Sequence, residues 1–208
     1  PMRVAVLGAS GRTGRATVKN ALDAGHDVVS IVRTAASAPS GTAVAQADAR
    51  DSGALAAAIR DTDAVVSCIG HVAADGNVTL LHDGAVALVA AMASAGVSRL
   101  VAVSAAGAYI AGDDPLSRFI AKPVLERVLK ANLEDTRAME DVIRSSATSW
   151  TLLRPARLIT GEGERDYRRR LDRSIWWHYN TRFDTVGRAA VDALGRSEWV
   201  GHAVFVTG

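Results

Sequence analysis

The chain has 208 residues, with 24 Lys and Arg against 22 Asp and Glu, a formal charge of +2. Apolar residues make up 49% and charged residues 22%, so a disordered chain is excluded: there is enough apolar surface to offset the entropy of ordering. The single cysteine, Cys68, excludes a disulfide framework and a Cys-rich zinc site, and the apolar runs are too short to span a membrane. Residues 3–7 read as a buried strand, with no secretory signal pattern before it, so a cytoplasmic location is expected. A helix is predicted from about Thr13 to Ala24, ended by Gly25, followed by a strand over Asp27–Val32. A loose stretch, 34–43, leads to a weak strand at Val44–Ala47. Ser52 is read as the N-cap of a helix through Ile59, and the next strand as Ala64–Ile69. A long helix over about 78–95 stops at Gly96, and a fifth strand covers Leu100–Val103. A helix over about 134–145 leads into a strand at Trp150–Leu153, and Ala203–Val206 forms the last strand.

Short, continuously apolar strands separated by helices indicate a parallel sheet covered on both faces, a doubly wound α/β fold in one domain. Residues 156–202 are less regular and are expected to form a small C-terminal substrate lobe over the carboxyl edge of the sheet.

The strongest motif is Gly8-Ala9-Ser10-Gly11-Arg12-Thr13-Gly14, between the first strand and the first helix. Gly8 permits the tight turn, Gly11 lets backbone approach a pyrophosphate, and Gly14 lets the helix pack on the strand. Ser10, Arg12 and Thr13 complete the cradle, and the N–H groups of the first helical turn supply an anion site. An NAD site usually ends the second strand with a carboxylate that holds the ribose 2′-OH. Here the segment is Ser30-Ile31-Val32-Arg33-Thr34. Arg33 stands where a 2′-phosphate would sit, with Arg12 projecting towards it, so NADP is the expected cofactor. Asp48 is expected beside the adenine, and Gly70 is expected to let the backbone pass close to the cofactor, with His71 and Asn77 as polar neighbours.

These residues resemble the atypical short-chain dehydrogenase/reductase superfamily, specifically its NAD(P)H-binding group, which includes NmrA-like proteins and flavin/biliverdin reductases. The landmarks are the glycine turn, Arg33, the segment 63–66, the segment 96–104, Trp150 through Pro155, and Phe183-Asp184; they cover nearly the whole chain. The resemblance implies a Rossmann fold, with Pro155 at the cofactor site. It also implies a Ser, Tyr and Lys catalytic set, with Tyr four residues before Lys. Ser104 matches the serine, but the tyrosine and lysine positions fall on Asn132 and Thr136, which cannot do that proton work. The serine and histidine positions of the flavin/biliverdin reductases carry Ala105 and Ala156.

Two readings follow. One is a reductase passing hydride to a flavin, quinone or conjugated ketone, whose product anion needs no strong protein acid. The other is an NADP(H)-binding sensor of NmrA-like type; a non-redox enzyme on the same fold is a third possibility. For the reductase, Ser104 is expected to position the acceptor oxygen and Tyr109 to donate a bond or proton, with packing as the alternative for Tyr109. Lys122 is a weaker candidate. His178, among Trp176, Trp177 and Tyr179, is expected in a pocket for a small aromatic or conjugated substrate, or at a subunit contact such as a homodimer would use. Residues 162–173 hold five arginines and four acids, including Arg168-Arg169-Arg170. They are read as a mixed helix face with i,i+4 pairs, Glu164–Arg168 and Asp166–Arg170, rather than a nucleic-acid patch. The scattered histidines lack ligand spacing, so no metal is expected.

Overall fold

The computed structural model describes residues 1–71, 79–109, 115, 122–163 and 166–208, without the side chains of 122–129. In chain order its elements are β1 (Arg3–Leu7), α1 (Arg12–Asp23), β2 (Asp27–Val32), β3 (Ala43–Gln46), α2 (Ser52–Ile59) and β4 (Ala64–Ser67). Next come α3 (Leu80–Ala95), β5 (Arg99–Val103), α4 (Lys122–Arg144), β6 (Ser149–Pro155) and β7 (Arg157–Ile159). The last are β8 (Arg168–Leu171), β9 (Asn180–Arg182), α5 (Phe183–Gly195) and β10 (Ala203–Thr207). The main sheet has the order β3-β2-β1-β4-β5-β6-β10-β8, and β7 pairs with β9 in a separate two-stranded sheet. Strand pairs in the main sheet are parallel, except that β8 runs antiparallel to β10.

Helices on both faces explain why the central strands are apolar along their whole length. Val4, Ala5 and Val6 are all inaccessible although their side chains alternate between faces. One core includes Val4, Val6, Val18, Val186, Ala190 and Val204, beneath α1 and α5; the other includes Ala5, Ile31, Leu55, Leu88 and Ile143, beneath α2, α3 and α4. This is the doubly wound α/β Rossmann architecture. Its strand order reverses between β1 and β4, which opens a crevice beyond their carboxyl ends.

α1 and α5 approach closely. A Cβ at Gly187 would lie 2.5 Å from the carbonyl carbon of Ala16. Asp184, in the first turn of α5, accepts a hydrogen bond from Asn20 on α1 at 3.0 Å. The Arg12 guanidinium stacks 4.5 Å from the Phe183 ring centre.

Several expected boundaries move. Asp51, not Ser52, caps α2, its carboxylate accepting from the Ala54 N–H at 2.9 Å. β4 stops at Ser67, and α4 begins at Lys122 rather than near 134. The irregular stretch 156–202 divides in three. β7 and β9 pair beyond the carboxyl end of β6. α5 instead covers the sheet beside α1, because Val186, Ala189, Ala190, Ala193 and Leu194 form a buried stripe at helical spacing. Arg168–Leu171 is an exposed edge strand, not a helix face, so the i,i+4 reading of Asp166 with Arg170 fails; Glu164 lies outside the described residues. Among the described residues no helix is long and apolar enough to cross a membrane.

Gly187→Ala tests the helix contact. Overpacking of a site closed by backbone is expected to destabilise the fold by about 1–3 kcal/mol. Denaturant unfolding that leaves the midpoint unchanged would contradict this contact.

Candidate functional site

The crevice between β1 and β4 opens into a cavity of about 310 Å³, whose lining includes Gly8, Ser10, Gly11, Arg33, Asp48, Arg50 and Gly70. Gly8 has φ +78, the left-handed region that favours glycine. A Cβ at Gly14 would lie 2.1 Å from the Gly8 carbonyl oxygen, so helix and turn can meet only without a side chain there. α1 begins after Gly11 with no side-chain cap, and the N–H groups of Arg12, Thr13 and Gly14 belong to its unpaired first turn. An uncapped helix start beneath a glycine turn fits the pyrophosphate of a dinucleotide.

The far end of the cavity is cationic. Arg33 follows β2, and its carbonyl oxygen accepts from the Gln46 side chain at 2.9 Å. Arg15 bridges the glycine turn to the loop after Arg33, donating to the carbonyl oxygens of Ser10 and Ser37 at 3.0 and 2.9 Å. Arg50 donates to Asp48 at 3.1 Å. Its hydrogen bonds and charge, with that of Arg33, hold the Asp48 carboxyl below the usual carboxylate range against a desolvation cost. Sequence reasoning missed Arg50; its signal was a basic residue two positions after the aspartate that follows β3. Arg12 does not line this cavity, since its guanidinium rests on Phe183.

A second cluster lies where β5 and β6 end. Glu140 of α4 is completely buried, and Arg154 of β6 grips both of its oxygens at 2.9 and 2.6 Å. Arg144 approaches the same carboxylate at 3.4 Å, and Ser104 donates its hydroxyl proton to it at 2.5 Å. The Tyr109 ring lies 3.4 Å from the Arg154 guanidinium, against the same charge pair. Burial first, then the Glu140 charge, pushes the Tyr109 phenol well above its ordinary pKa, the opposite of what a proton donor needs. Ser104 and Tyr109 thus do meet, at the buried Glu140–Arg154 pair. Pro155 closes β6 beside them and is buried. Sequence reasoning missed Glu140 and Arg154 as site residues, since they lie on different elements and meet only in the fold. Thr136 bonds back to the Asn132 carbonyl at 2.8 Å, so its hydroxyl serves the helix.

His178 is exposed, on the chain leading into β9. Its Nδ1 donates to the Trp176 carbonyl oxygen at 2.7 Å, which leaves Nε2 as the outward nitrogen. Trp176 is 50% and Trp177 59% exposed, and Trp177 has φ +62, a strained value for a bulky residue. His178 is therefore not among the Ser104–Tyr109–Glu140 contacts. His71 Nε2 lies 3.3 Å from Asp135, off the line of a hydrogen bond; Asp135 accepts instead from the Leu81 and His82 N–H groups that start α3. Asn77 and the side chain of Lys122 lie outside the described residues. No three His, Cys, Asp or Glu side chains among the described residues converge as a metal site would require.

Fold and cradle together define a Rossmann-type dinucleotide-binding protein. The chain belongs to the NAD(P)H-binding family, whose model matches residues 8–197. It is 29% identical to YwnB of Bacillus subtilis over 166 residues, 79% of this chain and 76% of that protein. Its fold resembles a short-chain dehydrogenase/reductase from Veillonella parvula in complex with NADP, at TM-score 0.83 and 17% identity, covering 100% of this chain and 94% of that one. It also resembles ChuY, an anaerobillin reductase from Escherichia coli O157:H7, at TM-score 0.80 and 19% identity, covering 99% and 96%.

Tyr109 and Tyr167 give a pH test. Both phenols are raised by burial, Tyr109 further by Glu140 and Tyr167 by Asp192, to which it donates at 2.7 Å. A raised folded value means that the unfolded chain loses these protons first, so stability falls as pH rises past about 10. Tyrosinate absorbance from these two residues is expected only with unfolding. Ionisation of Tyr109 near pH 10 in the folded protein, identified by its loss in Tyr109→Phe, would contradict the buried contact with Glu140.

Proposed function

We propose that the protein is an NADPH-dependent reductase that passes hydride to a small planar or conjugated acceptor without the Tyr-x-x-x-Lys pair. The observation that carries this reading is the cavity that joins the glycine cradle to Arg33 and Arg50, with no carboxylate at the end of β2. The cradle residues Gly8, Ser10, Gly11, Thr13 and Gly14 would hold the pyrophosphate, and Arg33 and Arg50 the 2′-phosphate. Asp48 keeps Arg50 extended along the cavity wall until a phosphate competes for it. Gly70 leaves the β4 edge open for the ribose side, since nothing lies within 4 Å of where its Cβ would be. When bound, NADPH supplies the hydride. The chain supplies orientation: Ser104 and Pro155 border the carboxyl edge where the acceptor would lie, and the aromatic turn at Trp176–Tyr179 stands on the chain entering β9.

Proton delivery by water suits this site, because Tyr109 is held protonated against Glu140. That commitment also favours a second reading, an NADP(H)-binding sensor of NmrA-like type that does not turn over. A screen of NADPH oxidation against flavins, quinones and conjugated ketones separates the two. Multiple turnovers support the reductase. Tight cofactor binding with no turnover, and a partner whose affinity follows the NADP(H) redox state, supports the sensor.

Cofactor choice tests the carrying observation. NADPH is expected to bind more tightly than NADH by about 1.5–3 kcal/mol, roughly 10- to 100-fold. Calorimetry on Arg33→Ala and Arg50→Ala should show much of that preference lost in each. Equal affinities in the unaltered protein, or a preference intact in both variants, would refute the assignment.

A further inference from the structure

We infer that Glu140 makes Ser104 a hydrogen-bond acceptor, so that the site selects acceptors bearing an N–H or O–H donor beside the bond to be reduced. The inference rests on the reductase reading. A serine hydroxyl has one proton to give and two lone pairs. Ser104 Oγ lies 2.5 Å from Glu140 Oε1, while Arg154 donates to both oxygens of that carboxyl. A guanidinium only donates, so it holds the carboxyl as an ionised acceptor, and Ser104 must supply the proton of their contact. The backbone N–H of Ser104 is also committed, to the Leu153 carbonyl oxygen at 2.7 Å.

Among the described residues, two neighbours of Ser104 are held in other contacts. The Tyr109 ring is stacked on Arg154, 3.4 Å from its guanidinium. The N–H of Ala156, just past β6, donates to Thr181 Oγ1 at 3.0 Å. What Ser104 offers beyond Glu140 is a lone pair. A bare carbonyl set against it gains no bond, whereas an N–H or O–H is satisfied. Glu140 is thus a positioning residue acting through Ser104. In the reaction the acceptor gains a hydride from the nicotinamide, which is oxidised, and a proton from water; Ser104 exchanges neither.

An isosteric pair tests this: 2-amino-1,4-naphthoquinone, which carries the donor, and 2-methyl-1,4-naphthoquinone, which does not. Affinities are measured by calorimetry in the presence of NADP+, so that no reduction occurs. The unaltered protein should favour the amino compound roughly 3- to 10-fold. In Ser104→Ala the ratio should fall to about one. In Glu140→Gln, where the neutral amide no longer holds the serine proton, the ratio should fall to one or below. Ser104→Ala decides the matter if Glu140→Gln does not fold. Equal binding of both compounds to the unaltered protein, or an amino preference that survives Ser104→Ala, overturns the inference and leaves the reductase reading standing. Binding of neither compound to the unaltered protein removes the acceptor site, and with it both the reading and the inference.

Discussion

The carboxyl edge of the sheet is organised by one buried charge pair. Glu140 is completely buried on α4, and Arg154 meets it from β6 with two hydrogen bonds. An isolated carboxylate in such a place would be strongly destabilising, so the pair persists only because its oxygens are fully engaged. Ser104 at the end of β5 and Arg144 one turn along α4 complete the set, with the Tyr109 ring stacked on Arg154. The contacts tie a helix to two adjacent strand ends. They fix where Ser104 points and take up its hydroxyl proton.

The other half of the crevice follows a different logic, of close approach and free charge. Gly14 allows α1 to start against the glycine turn, and Gly187 allows α5 to press on α1 from outside. Arg15 and Gln46 fix the backbone around Arg33, whose own side chain is exposed. This half is rigid in backbone and open in side chain, as suits binding a large anionic cofactor reversibly. The β5–β6 half is rigid in side chain.

Much of this was legible in the sequence because it is local. The glycine turn follows a strand and opens a helix within seven residues, and the apolar runs of β1, β2, β4 and β5 need no partner to be read. The Glu140 cluster was not legible, since its members come from β5, α4 and β6 and only folding brings them together. Ser104 is 36 residues from Glu140. β8 was misread because all four of its residues are exposed: an edge strand of arginines shows no apolar alternation, and its charge spacing mimics a helix. α5 did carry a readable signal, the spacing of Val186, Ala189, Ala190, Ala193 and Leu194. It was masked by the charged, aromatic segment before it. Asp48 lines the cavity, and the salt bridge that holds it to Arg50 depends on side-chain geometry that a sequence does not display.

The central claim is that this site supports hydride transfer while Tyr109 stays protonated beside a buried charge pair. Single-turnover NADPH oxidation, followed in the presence of a reducible quinone from pH 6 to 9 in light and heavy water, tests it most directly. The account predicts a hydride-transfer rate that is flat with pH and indifferent to heavy water, because no protein acid shares its transition state. A rate that follows one ionisation, slows in heavy water, and loses both behaviours in Tyr109→Phe would contradict it.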